Sequence, residues 1–279
     1  MATGKGLLLG PAIFVLGAGC NALFGLGPPT LVLDGGGMPG AGGSAGPDGG
    51  GSDGPGGWSS IGCSGSEGPA PVNIDGRFCI DSTMVTYAEY ARFLAAASPS
   101  TFPQLGDCVS NNDFAPATGV PHPGLADDYP VTSVDLCDAR AYCTWAGKRL
   151  CGPLPGVGNG LNTPGDSEGY YACAGGQRNM PYAYGPIYAP SACNTPDGAP
   201  TMVASMPDCV SVAYPGLYDL SGNIGFWEDM CDLNYCRDSV PPRGATADAY
   251  LCNVDNYDPR GTASADLGIR CCSDVVPPP

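Results

Sequence analysis

The chain has 279 residues, with 27 acidic against 11 basic side chains, a formal net charge of −16, 15 cysteines and one histidine. So few cations, with no stripe of Lys and Arg to neutralise phosphates, exclude a nucleic-acid-binding role. A single histidine excludes sites built from several imidazoles, and the cysteine density points to disulfides formed in an oxidising compartment.

In chain order, Lys5 precedes an apolar run over 7–16 and then Gly17-Ala18-Gly19-Cys20. This reads as a positive region, a short hydrophobic core and a small-residue cleavage site; the run is too short for a membrane span and contains Pro11. Cleavage before Cys20 resembles a bacterial lipoprotein signal with Cys20 lipidated, although Leu16 sits one position earlier than the usual hydrophobe. The alternative is an ordinary signal peptide with an incidental cysteine and a freely secreted product. Without Cys20, 14 cysteines remain, an even number able to pair completely. Residues 1–20 are therefore assigned to the signal. From Gly35 to Gly57 the chain is mostly Gly with Pro, Ser and Asp, too poor in apolar surface to offset ordering entropy, so 21–62 is assigned to a flexible tether. A single domain is expected over 63–274, with a proline-ended tail at 275–279.

Within that domain Phe78-Cys79-Ile80 reads as a short strand. Residues 86–97 place Tyr87, Tyr90, Phe93 and Leu94 at helical spacing, with Thr86 as N-cap and Pro99 beyond the end. A second helix is predicted over 133–146, capped by Ser133, with Leu136, Ala139, Tyr142, Cys143 and Trp145 on one face. A helical turn is predicted over 168–174. Gly147 suits a left-handed C-cap; Lys148 and Arg149 suit the helix dipole, and a plain surface charge explains them equally. Trp145 and Trp227 read as core anchors. Gly156 to Gly160 is a loop without the strand–helix frame of a phosphate cradle. Elsewhere Gly, Pro, Asn and Asp predict long loops held by cross-links. Zinc is disfavoured, because the close pairs Cys137/Cys143, Cys231/Cys236 and Cys271/Cys272 lack Cys-x2-Cys spacing.

Several segments together resemble the formylglycine-generating enzyme, or sulfatase-modifying factor, domain family. They are Phe78-Cys79-Ile80-Asp81, Pro130-Val131-Thr132-Ser133-Val134-Asp135, Ala141-Tyr142-Cys143-Thr144-Trp145-Ala146-Gly147-Lys148-Arg149-Leu150, Tyr171-Ala172-Cys173-Ala174-Gly175-Gly176, Pro181-Tyr182-Ala183-Tyr184-Gly185, Gly216-Leu217-Tyr218-Asp219-Leu220-Ser221-Gly222-Asn223 and Leu267-Gly268-Ile269-Arg270-Cys271. The resemblance implies an α+β, irregular C-type-lectin-like fold, low in regular secondary structure and rich in disulfides. It also implies two bridges, Cys143 to Cys271 and Cys173 to Cys252. Cys231 and Cys236 are close enough in sequence for a local bridge, a pairing that spacing alone leaves open.

Active members of the family oxidise a sulfatase cysteine to formylglycine with molecular oxygen and copper held by a cysteine pair. Cys252 is the one cysteine between Cys236 and Cys271, and its distance from the terminal Gly-x-Arg-Cys matches the family's structural cysteine. The copper pair would fall at 243–251, which contains neither Cys nor His, so copper is disfavoured and Cys252 stays a weak catalytic candidate. Calcium is a possible cofactor: Asp219, Gly222 and Ile224 match ligand positions of one family site. Phe226 replaces that site's carboxylate, unless Glu228 or Asp229 reaches in; Asn194 matches part of another site. Ergothioneine-type iron sulfoxide synthases share the fold but bind iron through three histidines, and only His122 is present. The functional expectation is an exported, non-catalytic binding module at the cell envelope, with a membrane attached through the lipid and an unknown protein or glycan as ligand. The alternative is a copper-dependent formylglycine-generating oxidase.

Overall fold

A computed structural model describes residues 62–102, 104, 106–118, 127–157, 164–194, 199–238, 251–253 and 256–277. Cys20, nearly all of the assigned tether, His122 and residues 239–250 lie outside the described residues. The chain divides into two compact units, Met1–Gly51 and Ser52–Pro279, and every described residue falls in the second.

Regular structure is short and scattered, as an α+β chain rich in turn residues dictates. The strands are β1 (Gly62–Cys63), β2 (Pro71–Ile74), β3 (Phe78–Asp81), β4 (Arg149–Leu150), β5 (Gly225–Cys231), β6 (Tyr235–Asp238), β7 (Asn256–Pro259), β8 (Leu267–Gly268), β9 (Cys271–Ser273) and β10 (Val275–Val276); the helices are α1 (Tyr87–Ala96), α2 (Leu136–Trp145) and α3 (Glu168–Cys173). One antiparallel sheet runs β2-β3-β9-β4, and a second runs β7-β6-β5-β8 with β5 and β8 parallel. β1 and β10 form an antiparallel pair, Gly62 opposite Val276 and Cys63 opposite Val275. The pairing takes Val275 and Val276, assigned to the tail, and Gly62, assigned to the tether, into the folded domain.

The helices start where side chains can satisfy free N–H groups. Thr86 caps α1, and Glu89 returns the favour to the Thr86 backbone N–H at 2.8 Å, a reciprocal capping box. The cap of α2 lies two residues later than predicted. Asp135 rather than Ser133 is its cap, because Asp138 stands three positions on and closes the box with the Asp135 N–H. Ser133 instead takes a left-handed φ of 59° and donates its N–H to the Ser264 carbonyl. Ser167 caps α3. Gly147, just past α2, adopts φ 72°, which a side chain would strain.

One core cluster packs α1 and α2 on β5. The rings of Tyr90, Phe93, Tyr142 and Trp145 interlock there, and Trp227 is fully buried with its indole N–H donating to the Val134 carbonyl at 3.0 Å. A second cluster joins Ile74, Phe78 and Ile80 to Tyr171, Leu217 and Phe226. Lys148 is not a surface charge. Its ammonium is buried 2.6 Å from the buried Asp81 carboxylate and also donates to the Pro69 carbonyl, tying the exit of α2 to β3. Burial raises the Asp81 pKa to about 6, opposed by Lys148, by the Cys271 N–H and by Arg270.

Every cysteine among the described residues is bonded: Cys63–Cys79, Cys108–Cys137, Cys143–Cys271, Cys151–Cys272, Cys173–Cys252, Cys193–Cys209 and Cys231–Cys236. Neighbouring residues of β9, Cys271 and Cys272, thus anchor to two different places, α2 and the chain after β4.

Candidate functional site

The residues that would carry oxidase chemistry centre on Cys252. It is bonded to Cys173 at the end of α3, and its N–H donates to the Pro181 carbonyl at 2.8 Å. Beside this bridge lies a buried polar knot. Glu228 accepts from the Ser167 hydroxyl, from the Gly169 N–H at 3.1 Å and from Arg237 Nε at 2.7 Å. Glu228 and Arg237 are both almost wholly buried, so the pair is neutralised in place. The space against the bridge, lined by Gly169, Phe226, Glu228, Arg237, Leu251 and Cys252, is ≈ 30 Å³, room for a water or two and not for a peptide side chain. A copper-binding pair is not present in the donor set: Cys252 sulfur is in a disulfide and 243–251 supplies no other thiol.

The calcium positions do not assemble a carboxylate cage. Asp219, at φ 58°, uses its carboxylate to accept the Ala204 N–H at 2.8 Å, and its own N–H goes to the Cys209 carbonyl. Burial raises its pKa, and Arg270, a fully buried guanidinium, is the opposing positive charge. Gly222 lies hard against the Asn194 carbonyl, which accepts the Asn223 N–H, while the Asn194 amide turns to Ala199. Ile224 and Phe226 are core residues, with Arg270 over the Phe226 ring. Glu228 is held by Arg237 and Asp229 by Arg140, so neither reaches this segment. One carboxylate already facing a cation does not fit an ion that requires six to eight oxygens. A further cluster, Cys151, Glu168 and Cys272, brings three ligand atoms within 4.8 Å. Its sulfurs are bonded to each other and Glu168 is gripped at both oxygens by Arg149, 2.6 and 2.7 Å, so it too is filled.

Outside these buried loci the domain has an open cleft of ≈ 780 Å³ where α2, β4 and the β5–β6 hairpin meet. Arg140, Arg149 and Arg260 line it with Asp107, Asp229 and Asp232, and Leu233, 91% exposed, stands at the hairpin tip. The Cys231–Cys236 bridge closes that hairpin, and Asp232 holds its turn by accepting the Asn234 and Tyr235 N–H groups at 2.7 and 2.8 Å. Of these cleft residues the sequence offers Arg140 and Arg149 only as part of the central-helix segment and Asp229 only as a possible calcium ligand, and it marks none of them as lining a cleft. The signal available was scarcity: in so acidic a chain each exposed arginine invites a question.

Comparison with known proteins places these features in a family. Residues 54–275 match the family described as Sulfatase-modifying factor enzyme 1-like domain. The chain is 30% identical over 171 residues to the inactive C-alpha-formylglycine-generating enzyme 2 of Bos taurus, a stretch covering 54% of this chain and 52% of that protein, about half its length. It is 28% identical over 260 residues to the formylglycine-generating enzyme of Streptomyces coelicolor, covering 71% of this chain and 78% of the relative. Among solved structures, the crystal structure of CarF superposes with a TM-score of 0.49 and 19% identity, over 71% of this chain and 87% of that one.

Proposed function

The chain belongs to the sulfatase-modifying factor enzyme 1-like domain family, and from that premise we propose that it is a non-catalytic member, an exported binding module acting at the cell envelope. The observation that carries this reading is the fate of Cys252. It is the one cysteine between Cys236 and Cys271 and it is bonded to Cys173, so no thiol pair is left where the family's copper chemistry would need one. The family includes a member named as inactive, which makes loss of activity on this fold a known outcome. Export is supported by the seven bridges, which persist in oxidising compartments, and by the short apolar run before Cys20. A lipid on Cys20 would fix the domain to a membrane, and its ligand would be a protein, a glycan or another small group.

The test is thiol and copper stoichiometry of the full chain purified under oxidising conditions. We expect no reactive thiol other than Cys20 and no bound copper after dialysis against Cu(I). Two reactive thiols holding one Cu(I), with oxygen-dependent conversion of a cysteine in a sulfatase peptide, would instead identify an oxidase.

A further inference from the structure

We propose that the cleft beside the β5–β6 hairpin binds an organic carboxylate through Arg140 and Arg260. Of the six described arginines that reach solvent, three line this one cleft. In a chain of net charge −16 that gathering of arginines stands out, and each of the three already faces a carboxylate, so what matters is how firmly each is held.

The three are not equivalent. Arg149 is saturated: both terminal nitrogens grip Glu168, and Nε donates to Asp274 at 3.2 Å. Arg140 and Arg260 are not. Arg140 reaches one oxygen of Asp229 at 2.6 Å, and its other terminal nitrogen rests on the Cys108 sulfur at 3.5 Å. Arg260 reaches one oxygen of Asp107 at 3.1 Å and the Asp232 carbonyl. Both Nε atoms are buried and lack a hydrogen-bond partner. A buried donor left unpaired costs roughly 1–3 kcal/mol; these two are shielded from the cleft, and it is the terminal nitrogens, each with a second hydrogen beyond its single contact, that can meet an acceptor there.

The two guanidinium groups also share a support. They rest on consecutive residues, Asp107 and Cys108, of a single 3-10 turn, Gly106–Cys108. Their present counterions are replaceable. The Asp107 and Asp229 side chains are 61% and 44% exposed, and the Asp232 carboxylate is occupied by its own hairpin turn. Exposed ion pairs of this kind contribute little, whereas a guanidinium fork accepts a planar carboxylate at two oxygens.

The surroundings narrow the ligand further. Asp107, Asp229 and Asp232 would repel a dianion such as phosphate, which favours a single negative charge. Leu150, Pro153 and the exposed Leu233 offer an apolar wall, and ≈ 780 Å³ is within the range of small-molecule sites. The class is therefore a monocarboxylate with an apolar substituent, either a free organic acid or the C-terminal end of a polypeptide. This deepens the binding-module reading and rests on it only for its purpose. The thiol and copper assay tests that reading, and the titration below tests the cleft.

The full oxidised chain would be titrated with acetyl-glycyl-leucine, with its C-terminal amide and with 4-methylpentanoate, by calorimetry and by ¹⁵N NMR of arginine Nε–H groups. We expect the acids to saturate in the millimolar range or below and to shift the Arg140 and Arg260 Nε signals, with the amide at least about tenfold weaker. Arg140→Gln and Arg260→Gln should each weaken the acids about tenfold, and Asp107→Asn, which removes a competing counterion, should tighten them. A peptide acid binding more tightly than 4-methylpentanoate assigns the site to polypeptide ends; equal affinity assigns it to free acids; both uphold it. Indifference between acid and amide, absence of saturation, or weakening by Asp107→Asn overturns it, the last even if an arginine variant fails to fold.

Discussion

Consider removing the two bridges that leave β9, singly and together. Cys143–Cys271 and Cys151–Cys272 span 128 and 121 residues, and their ends are neighbours in sequence. While one stands, the other closes a loop of only about 9 residues, which the chain-entropy relation values at about 2.6 kcal/mol. Once one is gone, the survivor's loop is limited by Cys173–Cys252. That loop is about 30 residues on one side and 19 on the other, about 49 together, worth about 4 kcal/mol. The variant lacking all four cysteines should therefore lose about 1.5 kcal/mol more than the sum of the two alanine pairs. Cavities left by the buried sulfurs add to both sides of that comparison and largely cancel. Urea unfolding followed by the fluorescence of buried Trp227 and half-buried Trp145 measures all four corners of the cycle. Losses that add within about 0.5 kcal/mol, or a combined loss smaller than the sum, would refute mutual shortening of the loops.

Other outcomes are equally definite. Asp138 sits at about 7 in the folded domain against its ordinary 3.8, because burial and then Asp135 disfavour its charge; Asp81 sits at about 6, mainly through burial. Between those values and the ordinary one, the folded chain holds protons that the unfolded chain has released. The contribution of these two groups is therefore fullest below about pH 4 and falls as pH rises through 6 and 7, by on the order of 2 kcal/mol for Asp138 between pH 5 and 8. Urea midpoints across that range should decline and the slope should flatten in Asp138→Asn; a rising midpoint would contradict the assignment. Lys148→Met leaves Asp81 buried without its cation and should cost about 3–5 kcal/mol, with partial recovery when Asp81→Asn is added. Trp227→Phe strands the Val134 carbonyl and opens a cavity, an expected loss of about 2 kcal/mol in the same denaturation assay.

What could be read from residue order and what could not divides along a physical line. α1 was legible because its determinants are local, a threonine cap and aromatic residues on one turn-spaced face. The start of α2 was misplaced because Ser133 and Asp135 are both good caps. The decision between them fell to Asp138, three positions after Asp135, whose partnership with the cap is visible only once both are counted. β5, beginning at Gly225, and the pairing of β1 with β10 depend on partners far along the chain, and no local periodicity announces them. The bridges Cys143–Cys271 and Cys173–Cys252 were implied by family resemblance, not by spacing, and the same pairs are joined in the structure. Lys148 looked like a helix-terminal surface charge because nothing near it in sequence shows that Asp81 lies beneath it. The cleft was illegible for a like reason: Arg140 and Arg260 are remote in sequence, and only the turn at Asp107 and Cys108 brings them together.

The pairing of β1 with β10 has a mechanical meaning. A pull on the chain from the N-terminal side of Gly62 begins to unzip two short strands, and unzipping a β pair resists force poorly. The next residue ends that weakness. Cys63 is covalently joined to Cys79 in the middle of β3, so the load passes into a strand flanked on both sides and paired with β9, whose own cysteines are bolted to α2 and to the chain after β4. Stretching such a domain would extend it by a few residues and then meet covalent bonds. A body built this way can hang from one end of its chain and keep its shape under drag, as a weight keeps its form on a cord tied through a rivet.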